Sequence, residues 1–151
     1  PYAIRMAKEK AYAVKTLRPQ DMVLAADTVV AMGRRILPKT ELESEARDCL
    51  ELLSGGAHRV MTSVCLLGGD GQSSLRVSET RIKFKRLSQS EREGYLASGE
   101  WKGKAGGYGI QGRAGALVVS LSGSYTGIVG LPIYETRQML EGMGYPCSLG
   151  Q

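Results

Sequence analysis

The stretch Met22-Val-Leu-Ala-Ala-Asp-Thr-Val-Val-Ala31 is an apolar, partly β-branched run interrupted by a single acidic side chain, Asp27. A run of this length and composition predicts a strand buried on both faces, as in a sheet covered by helices. Upstream, residues 3–17 place Ile4, Ala7, Ala11, Val14 and Leu17 at spacings of three and four, which predicts an amphipathic helix ending before Pro19. Downstream, Thr40 and Glu43 have the spacing of a capping box. The helix they would open carries Leu42, Ala46, Cys49, Leu50 and Leu53 on one face and stops at Ser54-Gly55-Gly56.

Further out, residues 60–67 read as a strand, followed by the turn Gly68-Gly69-Asp70-Gly71. Residues 75–86 alternate polar and apolar, which suits a more exposed strand. Ser88 and Glu91 repeat the capping-box spacing before a short helix that ends near Ser98-Gly99. A glycine-dense loop fills residues 102–115, residues 116–121 are strand-like, and Pro132 suits the first turn of a last helix running to about Gly142. Helices and strands interleave without an internal repeat or a long linker. The expected fold class is α/β, a mixed twisted sheet flanked by helices in one domain.

Composition narrows the function classes. The 42% hydrophobic and 23% charged content is that of an ordinary soluble domain, and no apolar run is long enough to span a bilayer. Three widely spaced cysteines, Cys49, Cys65 and Cys147, form neither a metal-ligand pattern nor a disulfide framework, so the expected compartment is the reducing cytoplasm. The net charge of +5 favours an anionic partner. The positive charges are scattered and the chain holds one Trp and one Phe, so a base-stacking nucleic-acid platform is not expected.

Several residues stand out chemically. Burying the Asp27 carboxylate is costly unless a cation, a metal or hydrogen-bond donors compensate. It reads either as a general base or metal ligand, or as part of an Asp-Thr pair bonding local backbone. Lys10 falls inside the apolar arc of the first helix, where it snorkels outward or aims at an anion. Lys39 stands beside a helix start, an unfavourable place for a cation unless an anion binds there. The segment Lys102-Gly-Lys-Ala-Gly-Gly-Tyr-Gly-Ile-Gln-Gly-Arg-Ala-Gly115 brings Lys104, Gln111 and Arg113 among glycines that let backbone approach a ligand or adopt conformations closed to other residues. It lacks the GxxxxGK[ST] phosphate-loop pattern, and alone it reads as a surface loop. His58, the one histidine, reads as structural. Trp101 and Tyr108 flank the loop and suit either packing or contact with a base.

Together these segments resemble the Maf family of nucleotide pyrophosphatases, the septum-formation-inhibitor homologues. The matching blocks are Ala26-Asp27-Thr28-Val29-Val30, Ile36-Leu37-Pro38-Lys39 and Leu53-Ser54-Gly55-Gly56-Ala57-His58-Arg59-Val60. They continue through Lys104-Ala105-Gly106-Gly107-Tyr108-Gly109-Ile110-Gln111-Gly112, then Gly123-Ser124-Tyr125 and Val129-Gly130-Leu131-Pro132. The resemblance implies two lobes around a nucleotide cleft, a magnesium or manganese ion, and a homodimer. It implies that Asp27 accepts the proton of the attacking water and ligates the metal, with Lys10, Lys39 and Lys104 near the phosphates. Thr28 and Gln111 would bear on base choice. Their surroundings look like the branch acting on dTTP and UTP rather than the 7-methyl-GTP branch, with a house-cleaning role against modified pyrimidine nucleotides. A non-enzymatic regulator of septum formation is the alternative.

Two departures accompany the resemblance. Thr40 stands where the family usually has proline. The family's N-terminal Ser-x-Ser-Pro-Arg-Arg motif and a downstream glutamate have no counterpart, and a helical pattern begins almost at Pro1. The expectation is one Maf-like domain over residues 1–151, a piece without that first strand and phosphate-binding loop.

Overall fold

Val60, Val64, Leu66, Ile82 and Phe84 recur at even positions of two long strands and are all buried, so one face of the sheet carries most of the core. The computed structural model describes residues 2–149; Pro1, Gly150 and Gln151 lie outside the described residues. Its elements run α1 (Tyr2–Leu17), β1 (Val23–Met32), β2 (Arg35–Leu37), α2 (Glu43–Leu53), β3 (Ala57–Leu67), β4 (Ser73–Phe84), α3 (Gln89–Ser98), a 3-10 helix (Arg113–Leu117), β5 (Val118–Ser122), α4 (Tyr125–Val129) and α5 (Ile133–Gly142).

The five strands form one sheet in the order β2-β1-β3-β4-β5. The expected α/β architecture with helices flanking the sheet is present. Each of the four strand pairings is antiparallel, so the interleaved helices do not serve parallel crossovers as they would in a mixed sheet. Strand β1 pairs with β3 from Val23 to Ala31, but with β2 only from Val30 to Met32. Among the described strands, the edge of β1 ahead of Val30 therefore has no ladder partner on the β2 side. A cleft opens along that edge.

Strand alternation distributes the helices. The small residues Ala7 and Ala11 bring α1 close to Val23, Cys65 and Leu67 on one face. On the opposite face, Ala46, Cys49, Leu50 and Leu53 of α2 and Tyr95 and Leu96 of α3 pack on Val30, Val60, Ile82 and Phe84. Met139 of α5 extends this side over Val64 and Leu66. Covering both faces matches the expectation for the 22–31 run, but burial is uneven. Val29, Val30 and Ala31 are buried, whereas Leu24 is exposed, Ala25 is half-buried against α1, and Ala26 and Thr28 are half-buried in the cleft wall.

The Ser88 capping box forms as its spacing predicts. Ser88 Oγ accepts from the Glu91 N–H at 3.0 Å, Glu91 returns a carboxylate to the Ser88 N–H at 2.9 Å, and Gly99 ends the helix in the left-handed conformation. The Thr40 box does not form. Helix α2 begins at Glu43 after Leu42, and the Glu45 carboxylate accepts from the Leu42 N–H at 2.9 Å and the Glu41 N–H at 3.0 Å. Leu42 has no side-chain acceptor, so the helix caps itself with Glu45, and Thr40 is free for a different task.

His58 is structural, as its sequence context suggests. It lies in the core against Phe84 and Tyr108, with Nε2 2.6 Å from the Tyr108 hydroxyl. Burial disfavours the imidazolium and pulls its pKa from 6.5 down to about 4. Below pH 6.5 the unfolded chain takes up a proton that the native state refuses until about pH 4. The stabilisation is complete above that window and falls by about 3 kcal/mol as the pH drops through it. Urea midpoints at pH 7 and pH 5 should therefore differ strongly for this chain, and the difference should shrink in His58→Gln.

Candidate active site

The break in β1 pairing exposes the Ala26–Asp27–Thr28 backbone at the sheet edge, and alternation sends the two polar side chains to opposite faces. Asp27 turns toward α1, where the Lys10 ammonium lies 2.7 Å from its Oδ1 and also donates to the Ala26 carbonyl at 3.3 Å. Asp27 is 8% exposed and Lys10 45%, so a solvent-facing cation compensates a buried anion. Thr28 turns the other way, its hydroxyl 2.8 Å from that of Thr62, the residue paired with it on β3.

A second layer is pinned across from this edge by main-chain hydrogen bonds. The Thr40 N–H donates to the Lys104 carbonyl at 3.1 Å, Gly103 donates to the Thr40 carbonyl at 2.8 Å, and Gly106 donates to the Pro38 carbonyl at 2.9 Å. Lys39 and Ala105 stand opposite each other in this short antiparallel bridge. Thr40 is fully buried, and its hydroxyl donates to the Trp101 carbonyl at 2.6 Å. Lysines 65 positions apart in the chain are thus held to one ladder by a threonine whose side chain never reaches the site.

Two glycines of this loop adopt a backbone conformation closed to other residues and let it pack closely. Gly106 and Gly107 have φ of +72° and +77°. A Cβ on Gly106 would come within 2.9 Å of Val30 Cγ1, and one on Gly107 within 3.3 Å of Cys49 Cβ. The loop lies flat on the core because these two residues have no side chain there. Its polar neighbours then project into the cleft.

The cleft, of ≈ 320 Å³, is lined by all six residues singled out from the sequence: Lys10, Asp27, Thr28, Lys39, Lys104 and Gln111. Arg113 is not among them; it pairs with Glu100 instead. Tyr108 lines the cleft with its ring while its hydroxyl meets His58, and burial raises its pKa well above 10. Sequence reasoning missed an apolar wall of Val60, Ile128 and Val129, and missed Thr62 behind Thr28. Residues 123–125 and 129–132 carried a signal as matching blocks, but nothing local shows that α4 folds back onto β3.

Asp27 is the one acidic side chain lining the cleft, and no group of three or more His, Cys, Asp or Glu residues is placed to hold a metal among the described residues. One carboxylate with no nitrogen or sulfur donors suits a hard divalent cation whose remaining ligands are waters and phosphate oxygens. It does not suit a closed protein cage such as a structural zinc site.

Residues 1–143 match the family described as Maf-like protein. The chain is 61% identical over 146 residues to the dTTP/UTP pyrophosphatase of Maricaulis maris, covering 97% of this chain and 70% of that protein. It is 57% identical to the dTTP/UTP pyrophosphatase of Caulobacter vibrioides over 95% of this chain and 75% of that one. The corresponding protein of Paramagnetospirillum magneticum is 56% identical over 96% of this chain and 76% of its own length. The chain belongs to the Maf family.

The buried Thr40 hydroxyl gives a direct test of the ladder. Thr40→Val should lower stability by about 1–3 kcal/mol, because the Trp101 carbonyl loses its donor inside the protein. Thr40→Ser, which keeps the hydroxyl, should recover most of that loss in a urea titration.

Proposed function

We propose that this chain hydrolyses dTTP and UTP, and related or modified pyrimidine nucleotides, to the nucleoside monophosphate and pyrophosphate in a house-cleaning role. The observation that carries this reading is the convergence of one buried carboxylate and three lysines from α1, the 38–40 segment and the 103–106 segment on a single cleft. The names of relatives more than 50% identical over nearly the whole chain support the same substrates.

In this reading Asp27 removes a proton from the water attacking the α-phosphorus. The new P–O bond forms as the bond from the α-phosphorus to the bridging oxygen breaks, and pyrophosphate carries away the electron pair. Lys10, Lys39 and Lys104 neutralise the charge that shifts toward the leaving group, an effect that grows in the transition state. Lys10, 2.7 Å from the carboxylate, holds Asp27 in place at the cleft. Asp27, together with the phosphates, would hold magnesium or manganese, which when bound supplies Lewis-acid neutralisation of the phosphate oxygens. Thr28 and Gln111 present hydrogen-bonding groups for the base beside the apolar wall.

The chain is read as a single Maf-like domain, its family match running over residues 1–143. The chain spans 70–76% of the relatives named above. The assembly we assign is a homodimer, supported by the exposed apolar side chains of Tyr125, Val129, Leu131, Ile133 and Tyr134 on one continuous segment. The compartment is the cytoplasm, in keeping with Cys49, Cys65 and Cys147 all being free thiols. No helix among the described residues is long and apolar enough to cross a membrane.

Pyrophosphate release from UTP and dTTP with magnesium or manganese tests the reading, on this chain and on a version extended to the relatives' length. Asp27→Asn should lower kcat by roughly 10²–10⁴-fold, the usual contribution of a positioned base. Unchanged turnover in that variant would remove Asp27 from the chemistry.

A further inference from the structure

Thr62 is fully buried and stands directly behind Thr28, a residue that lines the cleft. Its hydroxyl lies 2.6 Å from the Gly127 carbonyl of α4 and 2.8 Å from the hydroxyl of Thr28. A carbonyl oxygen has no proton, so the bond to Gly127 consumes the single hydrogen of Thr62. The contact between the two threonines must then use the hydrogen of Thr28. With its proton directed into the protein, Thr28 has only lone pairs left for the cleft that it lines.

We propose that Thr62 is a positioning residue for base choice: by fixing Thr28 as a pure acceptor, it selects a ring that offers an N–H donor and disfavours one that offers a lone pair. This rests on the pyrophosphatase reading above and names the residue that sets its selectivity. Uracil and thymine carry a hydrogen on ring N3, whereas cytosine has a bare lone pair at the same position. The rings are nearly the same shape, so an apolar wall such as Val60, Ile128 and Val129 separates them poorly. Hydrogen-bond polarity separates them well, because a lone pair facing a lone pair is left unsatisfied out of water. Gln111 cannot impose that choice alone, since its amide presents a donor or an acceptor by rotating.

The arrangement is built into the fold. Thr28 and Thr62 are directly paired across β1 and β3, and Gly127 packs so closely that a Cβ there would sit 2.8 Å from Ser78 Oγ. Helix α4 can therefore bring its carbonyl down onto Thr62. Ser124 fixes the helix start by accepting from the Gly127 N–H at 2.9 Å.

The test is the ratio of kcat/KM for UTP to that for CTP. Thr62→Val is nearly isosteric, but it removes the acceptor that holds the Thr28 proton, so Thr28 becomes able to donate to cytosine. The ratio should fall by roughly tenfold, with CTP gaining relative to UTP. Thr62→Ser keeps the hydroxyl and should keep the wild-type ratio. If Thr62→Val does not fold, Thr28→Val reads the same discrimination at a half-buried position and should also lower the ratio. A wild-type ratio that survives both valine variants overturns the proposal. So does an effect limited to the comparison of UTP with its 3′-deoxy analogue, which would place the donor on the sugar. A wild-type chain, extended or not, that releases no pyrophosphate from either UTP or dTTP overturns the pyrophosphatase reading itself, and this inference with it.

Discussion

The ion pair between Lys10 and Asp27 is the interaction around which the cleft is organised. A carboxylate that is 8% exposed on the unpaired edge of β1 carries a desolvation cost that packing does not offset, and the ammonium 2.7 Å away does. The partner comes from α1, so the docking of Ala7 and Ala11 onto β1 and β3 is a condition for keeping that charge. The pair also explains why Lys10 sits in an apolar arc. Its stem runs along the helix face while its head reaches the edge of the sheet, where it is still 45% exposed.

The second organising feature is the ladder between residues 38–40 and 103–106. Lysines repel one another, and bringing Lys39 and Lys104 to one cleft needs a scaffold that does not depend on their side chains. Main-chain hydrogen bonds supply it, with Thr40 contributing its N–H, its carbonyl and its hydroxyl. A proline at that position has neither the N–H nor the hydroxyl, so this chain closes the ladder with bonds that a proline could not make. Gly106 and Gly107 complete the seat by letting the loop press against Val30 and α2. The cleft thus has one wall set by an ion pair and another set by backbone, while its apolar side depends on α4.

Much of the fold was legible because periodicity and punctuation agree along the chain. The 3–17 helix, the strands around Asp27 and Val64 and the Ser88 capping box all appear where pattern and cap residues place them. Two short elements, β2 and α4, were not legible, since three and five residues are too few to display a period. The start of α2 differed for a physical reason. Thr40 and Glu43 have the spacing of a cap, but a hydroxyl drawn into the core by the Trp101 carbonyl cannot also serve a helix end. The glycine-dense loop was located correctly and the positive φ of Gly106 and Gly107 is one of the uses its glycines suggested, but their close approach to Val30 and α2 was not legible, because it is a fact about distant elements.

The chain by itself determined which residues carry unusual chemistry. A carboxylate in an apolar run and a lysine in an apolar arc are visible without coordinates because each violates a local pattern. Tertiary structure alone decided that Lys10 and Asp27 answer one another, that Lys39 and Lys104 share a ladder, and that Thr62 stands behind Thr28. Hydrogen bonds and ion pairs between residues far apart in sequence leave no local trace, since their geometry exists only after the sheet and its helices have closed on each other.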